Sequence, residues 1–340
     1  MSFRLGPRQI LASLLIIGLC VLTVQYGLRT QTYEDRLKKA EKRWKEKRFE
    51  DAIKIYLNLA DADPKNTKTP EILLQIGDIY NLSLNQIDKA LQTYTLVSIR
   101  YPSTNFALQA FTKKAEIYFA TDQHQQALKE YQNILENFPN LKEKELYQLK
   151  LGIAHLKLKQ FEGARREFKL ILDQNLNTPL ADQVLFHTAN SYFLEDKPNQ
   201  AIPIYQSLIK NYPKSSMLDE AKFNMADCYE SLGDFDQALS IYEEIKNTYP
   251  NPKVIELQIQ RSKERKVEFE KQKQKMLTDK KKLMNPSSTG STNLSSEEHD
   301  LNSALQAKPK KTLAPISPPS TPKPEKKNES LIKNEFDTYR

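Results

Sequence analysis

Glycine is scarce in this chain, with eight in 340 residues. Glycine makes tight turns and lets backbone approach a phosphate closely, so this scarcity disfavours Gly-rich phosphate loops and hairpin-dense β folds and suits helices. Cysteine is scarcer still: Cys20 lies in an apolar stretch and Cys228 more than two hundred residues away. No structural disulfide is expected from that pair, and the redox compartment stays unread. The four histidines, His124, His155, His187 and His299, have no second His or Cys at metal-ligand spacing. No G-x-S-x-G, P-loop or H-E-x-x-H motif occurs. The sequence therefore offers no catalytic residue, metal site or cofactor, and the abundant Asp and Glu are read as solvated helix positions.

The net charge of +8 hides zones of different character. Residues 29–48 hold nine basic and four acidic residues, 49–260 hold 22 and 28, and 261–284 hold ten and four. A mildly acidic core thus lies between two basic collars, which argues against nucleic acid as a partner of the folded part. Residues 9–28 carry no charge. Such a run spans about 30 Å as a helix, the thickness of a bilayer's hydrocarbon core. It is read as a transmembrane anchor over 10–28 behind a short tail, 1–9. Cleavage as a signal peptide is the alternative, but Val24, Gln25 and Tyr26 make poor cleavage neighbours. Orientation cues conflict: a signal anchor places the remainder outside, whereas two Lys/Arg before the run against nine after it point the other way.

The strongest signal is self-similarity. Ala52, Ala90, Ala127, Ala164, Ala201 and Ala238 recur at spacings of 38, 37, 37, 37 and 37. Each precedes an aromatic by four residues: Tyr56, Tyr94, Tyr131, Phe168, Tyr205 and Tyr242. Positions i and i+4 share a helix face, so the small residue admits a neighbouring helix and the ring fills the gap above it. Twelve residues after the alanine stands a proline in every repeat except the fourth, which has Leu176. Further upstream come Gly77, Ala115, Gly152, Ala189 and Ala226, each followed three residues later by Tyr80, Tyr118, His155, Tyr192 or Tyr229. Two helices per repeat follow, over about 33–66, 70–103, 108–141, 145–178, 182–215 and 219–252. Ser103 and Ser216 are read as caps. Pro203 falls inside a second helix and is expected to kink it. In the first repeat Arg43 and Trp44 stand where a small residue and a tyrosine are expected.

This pattern resembles the tetratricopeptide repeat family. The resemblance implies an all-α solenoid of six helix-turn-helix repeats over 29–260. Its period is similar to bacterial envelope members, the β-barrel-assembly lipoproteins and the Tol–Pal-associated coordinator. That likeness implies an inner-membrane, single-pass protein with its solenoid on the periplasmic side, although no lipidation signal precedes Cys20. It also implies a scaffold that binds protein partners, a peptide or a helix, in a concave groove lined by first helices. The groove candidates are Thr112, Glu116 and Phe119; Leu149, Ile153 and Leu156; Phe186, Asn190 and Phe193; Phe223, Asp227 and Glu230. The alternative reading makes these aromatics inter-repeat core. A clamp for terminal carboxylates needs an early lysine in a first helix, but Leu37, Leu74, Thr112, Leu149, Phe186 and Phe223 occupy those places.

Residues 254–284 are read as a capping and basic helix, with Val254, Leu257 and Ile259 on a partial apolar face. Its Lys-rich part, 261–284, is either a solvated helix or a binder of anionic lipid or another polyanion. Residues 285–340 hold seven prolines and few apolar residues. They are expected to form an extended, unfolded tail.

Overall fold

The computed structural model of the chain describes residues 33–283, apart from 176 and 177. The proposed anchor over 10–28, Cys20, Leu176, His299 and the tail 285–340 lie outside the described residues. Among the described residues there are thirteen helices and no strand. They are α1 (33–45), α2 (Phe49–Ala62), α3 (Thr69–Asp78), α4 (Ile87–Arg100), α5 (Asn105–Ala120), α6 (His124–Asn137), α7 (Lys144–Lys157), α8 (Phe161–Gln174), α9 (Ala181–Leu194), α10 (Pro198–Asn211), α11 (Leu218–Ser231), α12 (Phe235–Ile245) and α13 (Pro252–Leu283). None of them is long and apolar enough to cross a membrane.

Consecutive helices pack in pairs, and each pair packs on the next. First helices also touch across pairs, α3 on α5, α7 on α9 and α9 on α11, whereas no two second helices meet to a comparable extent. The first helices therefore form the shorter, inner curve of a solenoid.

Each pair closes in the same way. One residue per hairpin takes a left-handed conformation: Lys47, Asn85, Asp122, Lys159, Asp196 and Gly233. The next residue donates its backbone N–H back to the first helix, as from Gln123 to Tyr118, Gln160 to His155 and Lys197 to Tyr192, the last helical carbonyls being satisfied by this turn. Five of the six turns manage without glycine. Gly233 is the exception, because Phe269 of α13 lies over it and a Cβ there would come 2.9 Å from the ring. In the second repeat the returning bond, from Gln86 to Tyr80, spans one residue more. The extra residue is absorbed as a π-type turn over Ile79–Ser83, with Leu84 N–H bonded to the Ile79 carbonyl.

The core is built from the repeating pair. Ala52, Ala90, Ala127, Ala164, Ala201 and Ala238 are all buried, as are Tyr56, Tyr94, Tyr131, Phe168, Tyr205 and Tyr242. The ring of a second helix lies on the small residue of its own first helix. A Cβ on Gly77 would stand 2.4 Å from the Tyr94 ring, and one on Gly152 2.3 Å from Phe168.

Four local expectations need correction. Ala40, not Arg43, is the small residue of the first repeat; it is fully buried twelve positions before Ala52. Thr104, not Ser103, caps α5, accepting from the Ala107 N–H, while Ser103 takes a positive φ; Ser216 caps nothing either, since α11 starts after Met217 without a side-chain cap and Ser215 accepts from the Met217 N–H. Helix α10 runs continuously through Pro203. Pro203 is exposed near the N-terminal end, and the carbonyl it deprives belongs to exposed Asn199. Finally, α13 docks through Ile255, Ile259, Ser262 and Phe269, whereas Leu257 is exposed. These docking residues follow one another at four, three and seven positions, which keeps them on one helix face, so the packed face continues well past Arg261.

Candidate functional site

The inner face belongs to α1, α3, α5, α7, α9, α11 and α13. Of the groove candidates, Leu149, Leu156, Phe186, Phe223 and Glu230 are buried and do not line an open surface. Phe223 packs against the rings of Tyr242 and Tyr249, at 5.7 and 5.5 Å between centroids. Phe186 meets Tyr205 and His187 edge-on, and Leu149 joins Phe168, Ile171 and Val184. The reason is geometric: each first helix is covered by the next, so these positions point into the joint. Glu230 is held by Arg265 of α13. Thr112, Phe119, Ile153, Asn190, Phe193 and Asp227 are half-buried, and Glu116 is exposed. Thr112 bonds to the Tyr147 hydroxyl of the next repeat at 3.0 Å.

What runs along the inner face is a polar ladder. Its first position follows each small residue: Glu41, Asp78, Glu116, Ile153, Asn190 and Asp227. The hydroxyl of Tyr94 donates to Asp78 at 2.6 Å, that of Tyr205 to Asn190 and that of Tyr242 to Asp227. Burial, then the Glu116 charge, pushes the Tyr131 phenol upward; burial, then Glu41, does the same at Tyr56, whose hydroxyl is buried without a hydrogen-bond partner. A third position comes from the following first helix. Lys113 pairs with Asp78 and Lys150 with Glu116, each at 3.0 Å. Asn224 donates to Asn190 at 3.0 Å and Gln258 to Asp227 at 3.3 Å.

The fourth repeat replaces all three members together. Phe168 has no hydroxyl, Ile153 takes the polar place, and His187 stacks on Phe168 at 6.0 Å. Burial, helped by Lys157, lowers the His187 imidazole to about 4, so it is neutral at ordinary pH. Removing the hydroxyl removes the need for its acceptor, and an apolar acceptor position leaves nothing for a cation to pair with. Lys113, Lys150, His187 and Asn224 were not among the candidates. Their spacing of 37 residues was present in the sequence, masked by their differing chemistry.

The remaining chemistry-bearing groups are quiet. His155 bonds Gln160 at 2.6 Å, and His124 lies 3.5 Å from Asp122. Burial, then Asp227, pushes the Cys228 thiol up to about 12, which makes it a poor nucleophile. No group of three or more metal-ligating side chains gathers among the described residues.

Tetratricopeptide repeat models match residues 71–104 and 109–141, 149–216, and 192–258, together just over half of the chain. Among solved structures, a tetratricopeptide repeat protein from Parabacteroides merdae is similar, with 18% identity, 81% of this chain and 99% of that chain covered, and a TM-score of 0.52. PilF of Pseudomonas aeruginosa is 14% identical over 70% of this chain and 99% of its own, with a TM-score of 0.44. YrrB, described as having an unusual peptide-binding site, is 16% identical over 57% of this chain and 94% of its own, with a TM-score of 0.43. No curated protein matches the sequence.

Proposed function

The chain belongs to the tetratricopeptide repeat family, and from that premise we propose that it is a non-catalytic scaffold that docks partner proteins on the inner face of its solenoid. The carrying observation is the ladder: a row of half-buried to exposed amides, carboxylates and lysines runs along consecutive first helices, where an extended segment or a helix of a partner meets several repeats at once. Glu41, Asp78, Lys113, Glu116 and Lys150 bring charge to the first four repeats, whereas the amides Asn190, Asn224 and Gln258 line the end towards α13, with Asp227 among them. Residues 10–28 hold the scaffold at a membrane in this reading, the bacterial inner membrane, with the solenoid in the periplasm; the cytoplasm-facing arrangement is its rival. The alternative of a polyanion or anionic-lipid binder over 261–284 loses ground. Lys263, Arg265 and Lys266 pair with Glu243, Glu230 and Asp236 of the last repeat, which draws that charge into the fold.

The test is cross-linked capture by the full chain from envelope membranes. Variants Lys150→Glu and Asn224→Ala on the inner face are compared with Lys169→Glu on the outer face. The inner-face variants are expected to lose partners that the outer-face variant keeps. Equal retention by all three overturns the groove. A C-terminal reporter active only in the cytoplasm overturns the periplasmic placement and leaves the groove standing.

A further inference from the structure

We propose that the first rung of the ladder is a receptor for a lysine or arginine side chain of the docked partner, taken up by the carboxylate of Glu41; this deepens the groove reading above and rests on it.

That rung lacks a member which its two successors have. In the second repeat the carboxylate is Asp78, and the next first helix supplies Lys113 to it at 3.0 Å. In the third the carboxylate is Glu116, and the next first helix supplies Lys150 at 3.0 Å. Lys113 and Lys150 each stand two residues before the small residue of their helix, Ala115 and Gly152. In the first repeat the carboxylate is Glu41, directly after Ala40, and the residue two before Gly77 is Gln75. An amide carries no charge, so half-buried Glu41 goes without the cation that Asp78 and Glu116 receive. Among the described residues no cation stands within ion-pair distance of it. Lys42 and Arg43 pair with Glu46, and Lys68 with Glu34. Lys38 and Lys45, one turn to either side on α1, are exposed and unpaired.

The hydroxyl beneath this carboxylate is unsatisfied as well. Tyr56 is fully buried and its hydroxyl has no hydrogen-bond partner, whereas the Tyr94 hydroxyl donates to Asp78 at 2.6 Å. Glu41, Gln75 and Glu71 all act on that phenol, so the three side chains surround it. Glu71, exposed on α3 one turn before Gln75, has no ion pair among the described residues either. A partner's ammonium or guanidinium completes the rung. It pairs with Glu41 as Lys113 pairs with Asp78, the carboxylate accepts from the Tyr56 hydroxyl, and the Gln75 amide oxygen accepts a further N–H of the cation. An acidic or apolar side chain in that place leaves two carboxylates unpaired and a buried hydroxyl unbonded. The other rungs are already filled. Asp227 also lacks a lysine, but it accepts from Tyr242 and from Gln258 of α13. A partner lying along the inner face is therefore oriented, with its basic residue over the first repeat.

The test is selection of a displayed library of random twelve-residue peptides on the full chain in detergent, followed by sequencing of the retained peptides. One aligned position is expected to be enriched in lysine and arginine by about fivefold over the library. Gln75→Lys supplies the cation from within and Glu41→Gln removes the carboxylate. Each is expected to erase that enrichment, and each is expected to weaken the best selected peptide by about fivefold in fluorescence anisotropy. Lys169→Glu on the outer face is expected to leave both readings unchanged. Peptides retained without the basic bias, or with a bias that survives in both inner-face variants, overturn the rung and leave the groove standing. A library that yields no peptide overturns the groove as a peptide site and the rung with it.

Discussion

Replacing Gly152 with alanine adds one methyl group where α7 meets the ring of Phe168. That Cβ would stand 2.3 Å from Cε1, 2.8 Å from Cδ1 and 3.0 Å from Cζ. Carbon atoms settle at about 3.5–4.0 Å, so the ring must retreat by roughly an ångström. Phe168 is fully buried and packed with Leu149, Ile171 and Val184, which leaves it nowhere to go without moving α8. Overpacking of this kind costs about 1–3 kcal/mol. Helix propensity acts the other way, since alanine is favoured over glycine in a helix by about 1 kcal/mol. The two effects differ in sign, and the contact is expected to win, with a net loss of about 1–2 kcal/mol. Urea unfolding of the full chain, followed by helical circular dichroism, reads this as a lowered midpoint. The double variant Gly152→Ala with Phe168→Leu should lose less than the sum of the singles, because the shorter side chain vacates the contested space. A midpoint raised by the propensity gain alone refutes the idea that the ring sits on the glycine.

Phe168→Tyr buries a hydroxyl opposite Ile153 and should cost about 1–3 kcal/mol; adding Ile153→Asn recreates the Tyr205–Asn190 arrangement, and a double-mutant cycle without a favourable coupling of about 1 kcal/mol or more defeats the ladder logic. His187 has its imidazole lowered to about 4 by burial, against an ordinary value near 6.5. The unfolded chain therefore binds the proton first, so this contribution is complete above about pH 6.5 and is lost as the pH falls towards 4. Between pH 7 and 5 the loss carried by His187, read as the wild type minus His187→Phe, should be about 1–2 kcal/mol. His187→Phe should abolish it, and an unchanged urea-midpoint profile in that variant refutes the assignment.

Much of the fold was legible because the repeat imposes one physical demand many times. A ring on a second helix needs a small residue beneath it, and that demand leaves Ala and Tyr at a fixed spacing whatever the surroundings. The hairpin turns were not legible. Lys47, Asp122, Lys159 and Asp196 adopt a conformation usually signalled by glycine, and the returning backbone bond, which no side chain advertises, holds them there. The extra residue of the second repeat was visible as a spacing of 38, but not that α3 absorbs it in a π-type turn. Groove candidates at Leu149, Phe186 and Phe223 failed for another reason. Periodicity says which face of a helix is apolar, and it does not say whether the next helix covers that face.

The sequence by itself determined the helix count, the hairpin order and the rings of the core. These depend on contacts within a hairpin, where spacing along the chain is nearly distance in space. Tertiary structure alone decided which inner-face residues stay open, which polar groups join into the ladder, and how α13 is held. Those outcomes depend on how one hairpin leans on the next, and that angle is set by the summed packing of whole faces rather than by any residue pair that can be read in a line.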